Sequence, residues 1–272
     1  RLGLSGSSFA PLLLGFGCTV PAVMAARTVP GARSRRLTVL LLPFVSCSAK
    51  LPVLTLFAAA FFRRPALALF LLYAASIAVG LLAAQVLKKT LFRTADSPFL
   101  MELPPYRLPT LRTTMQYIRR RIGDFIRKAF SVILLASLAV WFLQSFDTRL
   151  NVVTDSAGSL LAIIGRHIAP VFAPLGFADW RCAAALISGF IAKESVVSTL
   201  EILLGTSALG ALFTTKSAVS FLVFTLLYTP CVAAIAAIRR EVGSGFRAGV
   251  IALCQCCVAY LAAFAVFSLL RL

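Results

Sequence analysis

Uncharged apolar runs at residues 65–87, 217–238 and 248–270, with a slightly shorter one at 129–146, constrain this chain more than any other feature. A helix needs about 20 apolar residues to cross the hydrocarbon core of a bilayer. Within that core every backbone N–H and C=O must be paired inside the segment, so runs of this kind cross as helices. Three further runs are less regular. Glycine or proline interrupts 9–26 and 37–62, and 181–204 carries Lys193 and Glu194 near its middle. The stretch 157–175 is apolar but holds Arg166, His167, Pro170 and Pro174, which favours an interfacial helix and turn over a crossing. The expected fold is all-α: a polytopic transmembrane helix bundle of about six or seven spans, some of them broken.

Composition closes off most alternatives. With 60% apolar and 13% charged residues over 272 positions, no large soluble domain fits. The balance of 27 basic to 9 acidic residues, +18 net, would suggest nucleic acid in a polar protein. Here the basic residues form short clusters between apolar runs, at 27–36, 88–93 and 107–128, as cytoplasmic loops facing anionic lipid do. No nucleic-acid partner is expected. Within 107–128, Leu111, Met115, Ile118, Ile122, Phe125 and Ile126 recur at helical spacing, with Arg112, Arg119, Arg120 and Arg121 on other faces. This predicts an amphipathic helix on the inner leaflet, preceded by an extended proline strap at 103–109. The loop 147–156 then lies outside. Strict alternation puts the basic loop 239–247 outside as well, against the charge rule, unless one segment is re-entrant. The chain starts at Arg1 with no leader pattern and is expected to be a fragment.

Two segments resemble each other. Cys18 is followed nine positions later by Arg27 across an alanine-rich stretch, and Cys231 likewise by Arg240. Beyond them Cys47, Ala49, Leu51 and Phe57 match Cys257, Ala259, Leu261 and Phe267 at identical offsets. Residues 1–62 and 217–272 are therefore expected to be two copies of one helical hairpin. Four units follow: 1–64 as the first hairpin; 65–128 as a transmembrane helix, the strap and the surface helix; 129–216 as core helices including 157–175; and 217–272 as the second hairpin.

Repeats with broken helices place substrate sites between the copies, near the bilayer midplane. Pro21, Pro43, Pro52 and Pro230 free backbone carbonyls to line a cavity. Cysteine sulfur suits Fe(II), Zn(II) or Cu(I) far better than Na⁺, Mg²⁺ or Ca²⁺. Cys18, Cys47 and Cys231, each within three residues of proline or glycine, are the candidate metal ligands. Cys182, Cys254 and Cys256 are expected to pack as small apolar side chains. In the charged run, Glu194, Ser198 and Glu201 stand at i, i+4 and i+7 on one helix face, a candidate cation path, with Lys193 set apart from that face. Glu194 has a structural alternative as the ion-pair partner of Lys50 or of an arginine, and Lys50 itself could instead snorkel or repel cations in a gate.

The runs Gly15-Phe-Gly-Cys-Thr-Val-Pro-Ala-Val-Met-Ala-Ala-Arg27, Pro43-Phe-Val-Ser-Cys-Ser-Ala-Lys-Leu-Pro52, Met101-Glu-Leu-Pro-Pro-Tyr-Arg-Leu-Pro109, Gly189-Phe-Ile-Ala-Lys-Glu194 and Leu227-Tyr-Thr-Pro-Cys-Val-Ala-Ala234 strongly resemble the membrane domain of the ferrous iron transport protein B family (FeoB). The resemblance implies Fe(II) as the transported ion, a multi-pass position in the bacterial inner membrane, and two gate modules corresponding to the two hairpins. It places the family's gate cysteines on Cys18, Cys47 and Cys231, and its intramembrane glutamate on Glu194. Thr19 stands where asparagine is usual, which leaves a polar ligand at that position open. The implied partners are the N-terminal G-protein domain of the parent chain, small accessory iron-transport proteins and a second copy as homo-oligomer. No Gly-x-x-x-x-Gly-Lys-Ser/Thr loop occurs here, so GTP would act only through that separate domain.

Two other classes compete with metal transport. A nucleoside-type solute transporter also uses paired hairpins, but its site would want aromatics and amides where this chain has cysteines. A non-transporting membrane subunit or thiol sensor would make Cys256 and Cys257 reactive. With one histidine and no Ser/His/Asp set, no catalytic constellation is seen and the chain is not expected to be an enzyme.

Overall fold

The structure, a computed structural model, describes residues 6–90, 110–147, 149, 151–153, 156–204, 209–228 and 231–271. In chain order the helices are α1 (Phe9–Gly17), α2 (Thr19–Ala25), α3 (Ala32–Leu41), α4 (Leu51–Phe61), α5 (Pro65–Thr90), α6 (Leu111–Ser145), α7 (Leu160–Ile168), α8 (Trp180–Ile191), α9 (Ser195–Leu204), α10 (Leu209–Leu212), α11 (Thr215–Leu227), α12 (Val232–Val242) and α13 (Gly245–Arg271). Among the described residues the extended pairing is confined to an isolated bridge between Phe146 and Val152. The all-α helical bundle is as expected.

Among the described residues, the helices that are by themselves long and apolar enough to cross are fewer than the apolar runs of the sequence. Among the described residues four stretches are long and apolar enough to cross a membrane: Ala32–Phe61, Pro65–Thr90, Thr215–Val242 and Gly245–Arg271. A fifth exists if the pair Leu160–Leu175 and Trp180–Ile191, bent by 103°, is counted as one broken span. The shortfall has local causes. Run 9–26 breaks at Cys18, and 181–204 breaks between Ile191 and Ser195. Run 129–146 is absorbed into α6, a 35-residue rod whose apolar piece is Leu134–Ser145. At 1.5 Å rise per residue none of these pieces alone covers a core of about 30 Å. Helix α6 also runs unbroken through the boundary expected at 128/129, and the proline strap lies outside the described residues.

Segment 157–175 forms a helix and turn, as its sequence suggested. It belongs to the packed core: Leu161, Ala162, Ala169, Phe172 and Leu175 are buried. Ser159 caps α7 by accepting from Ala162 N at 3.2 Å, and Asp179 caps α8 by accepting from Arg181 N at 2.7 Å. Two glycines make the fold-back possible. A Cβ on Gly165 would stand 2.7 Å from the Trp180 carbonyl oxygen. Gly176, at φ +84°, turns the chain where a Cβ would meet the Phe267 ring at 2.3 Å.

Around these elements the core is aromatic. Phe57 of α4 stacks on Phe221 of α11 at 5.1 Å and meets Phe213 edge-on at 5.0 Å, while Phe177 meets Phe221 edge-on at 5.2 Å. The broken spans form the inside: 61% of the Ala32–Phe61 window is buried, against 6% for α5. Helix α5 presents Phe70, Leu71 and Leu82 outward, as a lipid-facing helix does.

The two segments aligned by the repeat share one device, a helix broken at a cysteine that starts a second helix: α1, Cys18, α2 and α11, Cys231, α12. Helix α2 packs on α12, and Arg27 Nε donates to Glu241 Oε1 at 2.6 Å across them. Farther on the copies diverge. Cys47 sits in a break between the 3-10 turns Leu42–Phe44 and Ser48–Lys50, whereas Cys257 lies inside the unbroken α13. The offset match of those two cysteines is not a match in structure.

Candidate functional site

Each main candidate ligand stands immediately before a helix or turn. Cys18 precedes α2, Cys231 precedes α12, Cys47 precedes the 3-10 turn that leads into α4, and Glu194 precedes α9. The cysteines act as helix starts through their backbone: the Cys18 carbonyl accepts from Ala22 N at 3.4 Å, Cys47 from Lys50 N at 3.1 Å, and Cys231 from Ile235 N at 3.0 Å. None of their side chains is used as a cap. Ser48 Oγ donates to the Gly17 carbonyl at 2.8 Å, which ties the Cys47 break to the Cys18 break. Gly189 brings the third element in, since a Cβ there would meet Val196 Cγ2 at 2.2 Å and Tyr228 Oη at 2.6 Å.

These starts converge on one open cleft of about 140 Å³, lined by Cys18, Thr19, Cys47, Lys193, Glu194 and Cys231 with small apolar neighbours. Cys18 is exposed, Cys231 half-buried and Cys47 buried, so the thiols run from the opening inward. Glu194 lies at the exposed rim. Helix starts carry the positive ends of the peptide dipoles, an arrangement that favours negative groups in the cleft. Among the described residues no group of three or more His, Cys, Asp or Glu side chains stands close enough together to hold a metal ion. The thiols and the carboxylate thus share a cleft without forming a closed coordination shell.

Three expectations change here. Lys193, set apart by helical spacing, is buried in the cleft wall with Nζ 5.9 Å from the centre of the Tyr228 ring. The spacing argument failed because the chain breaks between Ile191 and Ser195, and periodicity does not carry across a break. Ser198 and Glu201 are exposed and line no part of the cleft. Finally, the Lys50 ammonium does not meet the Glu194 carboxylate. It is buried and donates to the backbone carbonyl of Leu226. Since Glu194 is exposed and makes no ion pair among the described residues, Glu194→Gln should change stability by less than about 0.5 kcal/mol. Thermal unfolding in detergent checks this, and a drop of several degrees would reveal a buried partner.

Gln255, which no motif singles out, is the other polar group at the breaks. It is buried on α13, and its Nε2 donates to the carbonyls of Pro43 at 2.8 Å and Leu227 at 3.3 Å. Its signal in the sequence was simple: it is the lone amide in the apolar run 248–270.

Comparison with known proteins places this architecture. The Gate family model, described as nucleoside recognition, matches residues 1–61 and 126–245, and the model for the ferrous iron transport protein B C terminus matches 69–121. Among similar proteins, an Fe(2+) transporter FeoB of Methanocaldococcus jannaschii is 37% identical over 257 residues, covering 89% of this chain and 38% of that protein. An Fe(2+) transport protein A/Fe(2+) transporter FeoB fusion protein of Porphyromonas gingivalis is 35% identical, covering 98% of this chain and 38% of that protein. An Fe(2+) transporter FeoB of Campylobacter jejuni is 37% identical over 285 residues, covering 97% of this chain and 46% of its own length. This chain therefore spans less than half the length of these relatives. No solved structure matches it.

Proposed function

This chain belongs to the ferrous iron transport protein B family, as a C-terminal membrane part, and from that premise we propose that it carries Fe(II) across the inner membrane through the cysteine cleft. It is a multi-pass protein of that membrane, with helices long and apolar enough to cross. The observation that carries the reading is the convergence of Cys18, Cys47, Glu194 and Cys231 on one cleft from four separate helix starts. Glu194 at the rim draws the cation by its charge, and the thiols then replace water around an ion of borderline softness. Their graded burial gives the ion a sequence of sulfur contacts, Cys18 first and Cys47 last. Thr19 adds a hydroxyl beside the first of them.

A nucleoside-sized solute fits poorly. Pockets for such molecules measure about 300–1,000 Å³ and are lined by aromatics, whereas this cleft is smaller and its lining is thiol, charged and small aliphatic. The chain acts as a transporter part and not as an enzyme, and GTP would enter only through a domain outside it. The relative from Porphyromonas gingivalis is fused to an Fe(2+) transport protein A, which supports a small accessory iron-transport protein as a partner here. The first half of α6, with Leu111, Met115, Ile118, Ile122 and Ile126 exposed beside its arginines, lies on anionic lipid of the inner leaflet.

Thiol labelling tests the reading. In full-length protein in proteoliposomes under anaerobic conditions, Fe(II) should slow maleimide labelling of Cys18 and Cys231 by about tenfold or more. Cys254 and Cys257, exposed on α13 away from the cleft, should label at an unchanged rate. Equal rates with and without Fe(II) would reject the cysteines as ligands. Oxidation of the cysteines independent of metal would favour a thiol sensor.

A further inference from the structure

Two buried ammonium groups stand together at the thiol cleft, and among the described residues no opposite charge is paired with either. Lys193 lines the cleft at 6% exposed, and Lys50, 1% exposed, lies within hydrogen-bonding reach of it. An ammonium carries three donors and no acceptor, so neither lysine can satisfy the other. Lys50 has the Leu226 carbonyl as an acceptor. Lys193 has no acceptor and no ion pair among the described residues, and the group that faces it is the Tyr228 ring. Among the described residues the cleft lining holds a single carboxylate, Glu194, which is exposed at the rim and pairs with neither lysine.

A buried charge is costly unless an opposite charge or acceptors offset it, and two of one sign side by side raise that cost further. The backbone adds donors of the same kind. Helix α12 starts at Cys231 without a side-chain cap, Ala233 of its first turn lines the cleft, and the leading N–H groups of a helix have no intrahelical partner. Ammonium groups and helix-start N–H groups around an open cleft are the donor set that binds small anions. We propose that the cleft holds a small inorganic anion seated on the Lys193 ammonium, with Lys50 as a second positive charge behind it and the start of α12 supplying N–H donors. The inference goes beyond the transport reading and does not depend on it. In a cleft that carries Fe(II), such an anion offsets the two ammonium charges that otherwise repel the ion beside the thiols.

Thermal unfolding of the full-length protein in detergent, without iron, tests it in sodium chloride, sodium sulfate and, with a bulky anion as reference, sodium gluconate at one ionic strength. The parent should melt about 3 °C higher in chloride or sulfate than in gluconate. Sulfate also stabilises proteins in general by exclusion from their surface, so the quantity that decides is the difference between the parent and Lys193→Met in each salt. Lys193→Met removes the ammonium, and should melt no lower than the parent in gluconate and gain nothing beyond the general salt effect. Lys193→Arg keeps the charge and should keep the response. Lys193→Gln serves the same comparison if the methionine variant does not fold. The salt that separates the parent from the neutral variant identifies the anion. An equal salt response of the parent and a folded neutral variant would overturn the proposal: if both respond, the anion binds elsewhere, and if neither does, the ammonium groups are compensated within the protein.

Discussion

Full-length protein carrying both Cys18→Ser and Cys231→Ser should take up Fe(II) into proteoliposomes at less than about a tenth of the parent rate, with insertion and thermal stability unchanged. Loss of groups that merely orient a metal ligand costs about 10–100-fold in affinity, and removal of two sulfur donors should cost at least as much. Stability is expected to survive for a local reason. Both cysteines occupy the position just before a helix, where serine is among the preferred residues. Lost uptake therefore cannot be blamed on weakened helix starts. Each single change should have a smaller effect, since the remaining thiols still face the cleft. Unchanged uptake in the double variant would remove both residues from the path.

Gln255→Leu should have the largest effect on stability. Its amide serves the Pro43 and Leu227 carbonyls, one in each break, and the position is 2% exposed. Leucine nearly preserves the volume but leaves both carbonyls without that donor in a region where water is scarce. An unsatisfied buried polar group costs about 1–3 kcal/mol, so two should cost roughly 2–6 kcal/mol, together with reduced accumulation in the membrane. Tyr260→Phe supplies the comparison. It removes one bond, from Tyr260 Oη to the Val171 carbonyl at 2.9 Å in an exposed setting, and should cost about 1 kcal/mol or less. Thermal midpoints of the two variants in one detergent check the ranking, and equal shifts would mean that Gln255 does not brace the breaks.

Much of this protein was legible because its strongest signals are local. Apolar runs at 65–87 and 248–270 became α5 and α13 with little change, since a helix in lipid satisfies its own backbone and needs no partner to be specified. Proline and glycine beside Cys18 and Cys47 marked breaks, because they remove a donor or loosen the helix at that point. The amphipathic stripe from Leu111 to Ile126 became the first half of α6 for the same local reason.

The misreadings share a different cause. A Glu194–Lys50 pair stood as one alternative by opposite charge, yet Lys50 reaches a carbonyl 176 residues away. Gln255 spans 212 residues to Pro43, and no local pattern records such a partner. Lys193 was assigned to the wrong face because helical spacing was carried through a break that depends on Gly189, Val196 and Tyr228 meeting. The close packing of segment 157–175 through Gly165 and Gly176 was likewise not legible in its local pattern.

Hydrophobic runs, helix starts and the chemistry of cysteine act within a few residues, and through them the sequence by itself determined a membrane-embedded helical bundle, the family resemblance and the identity of the thiols beside the breaks. Tertiary structure alone decided how many helices are long enough to cross, that the thiols and Glu194 share a cleft, and that Lys50 and Gln255 hold the facing breaks. Those outcomes depend on which freed carbonyl meets which buried donor. That pairing is settled by the packing of helices distant in the chain, because an unpaired polar group in an apolar interior is too costly to leave to chance.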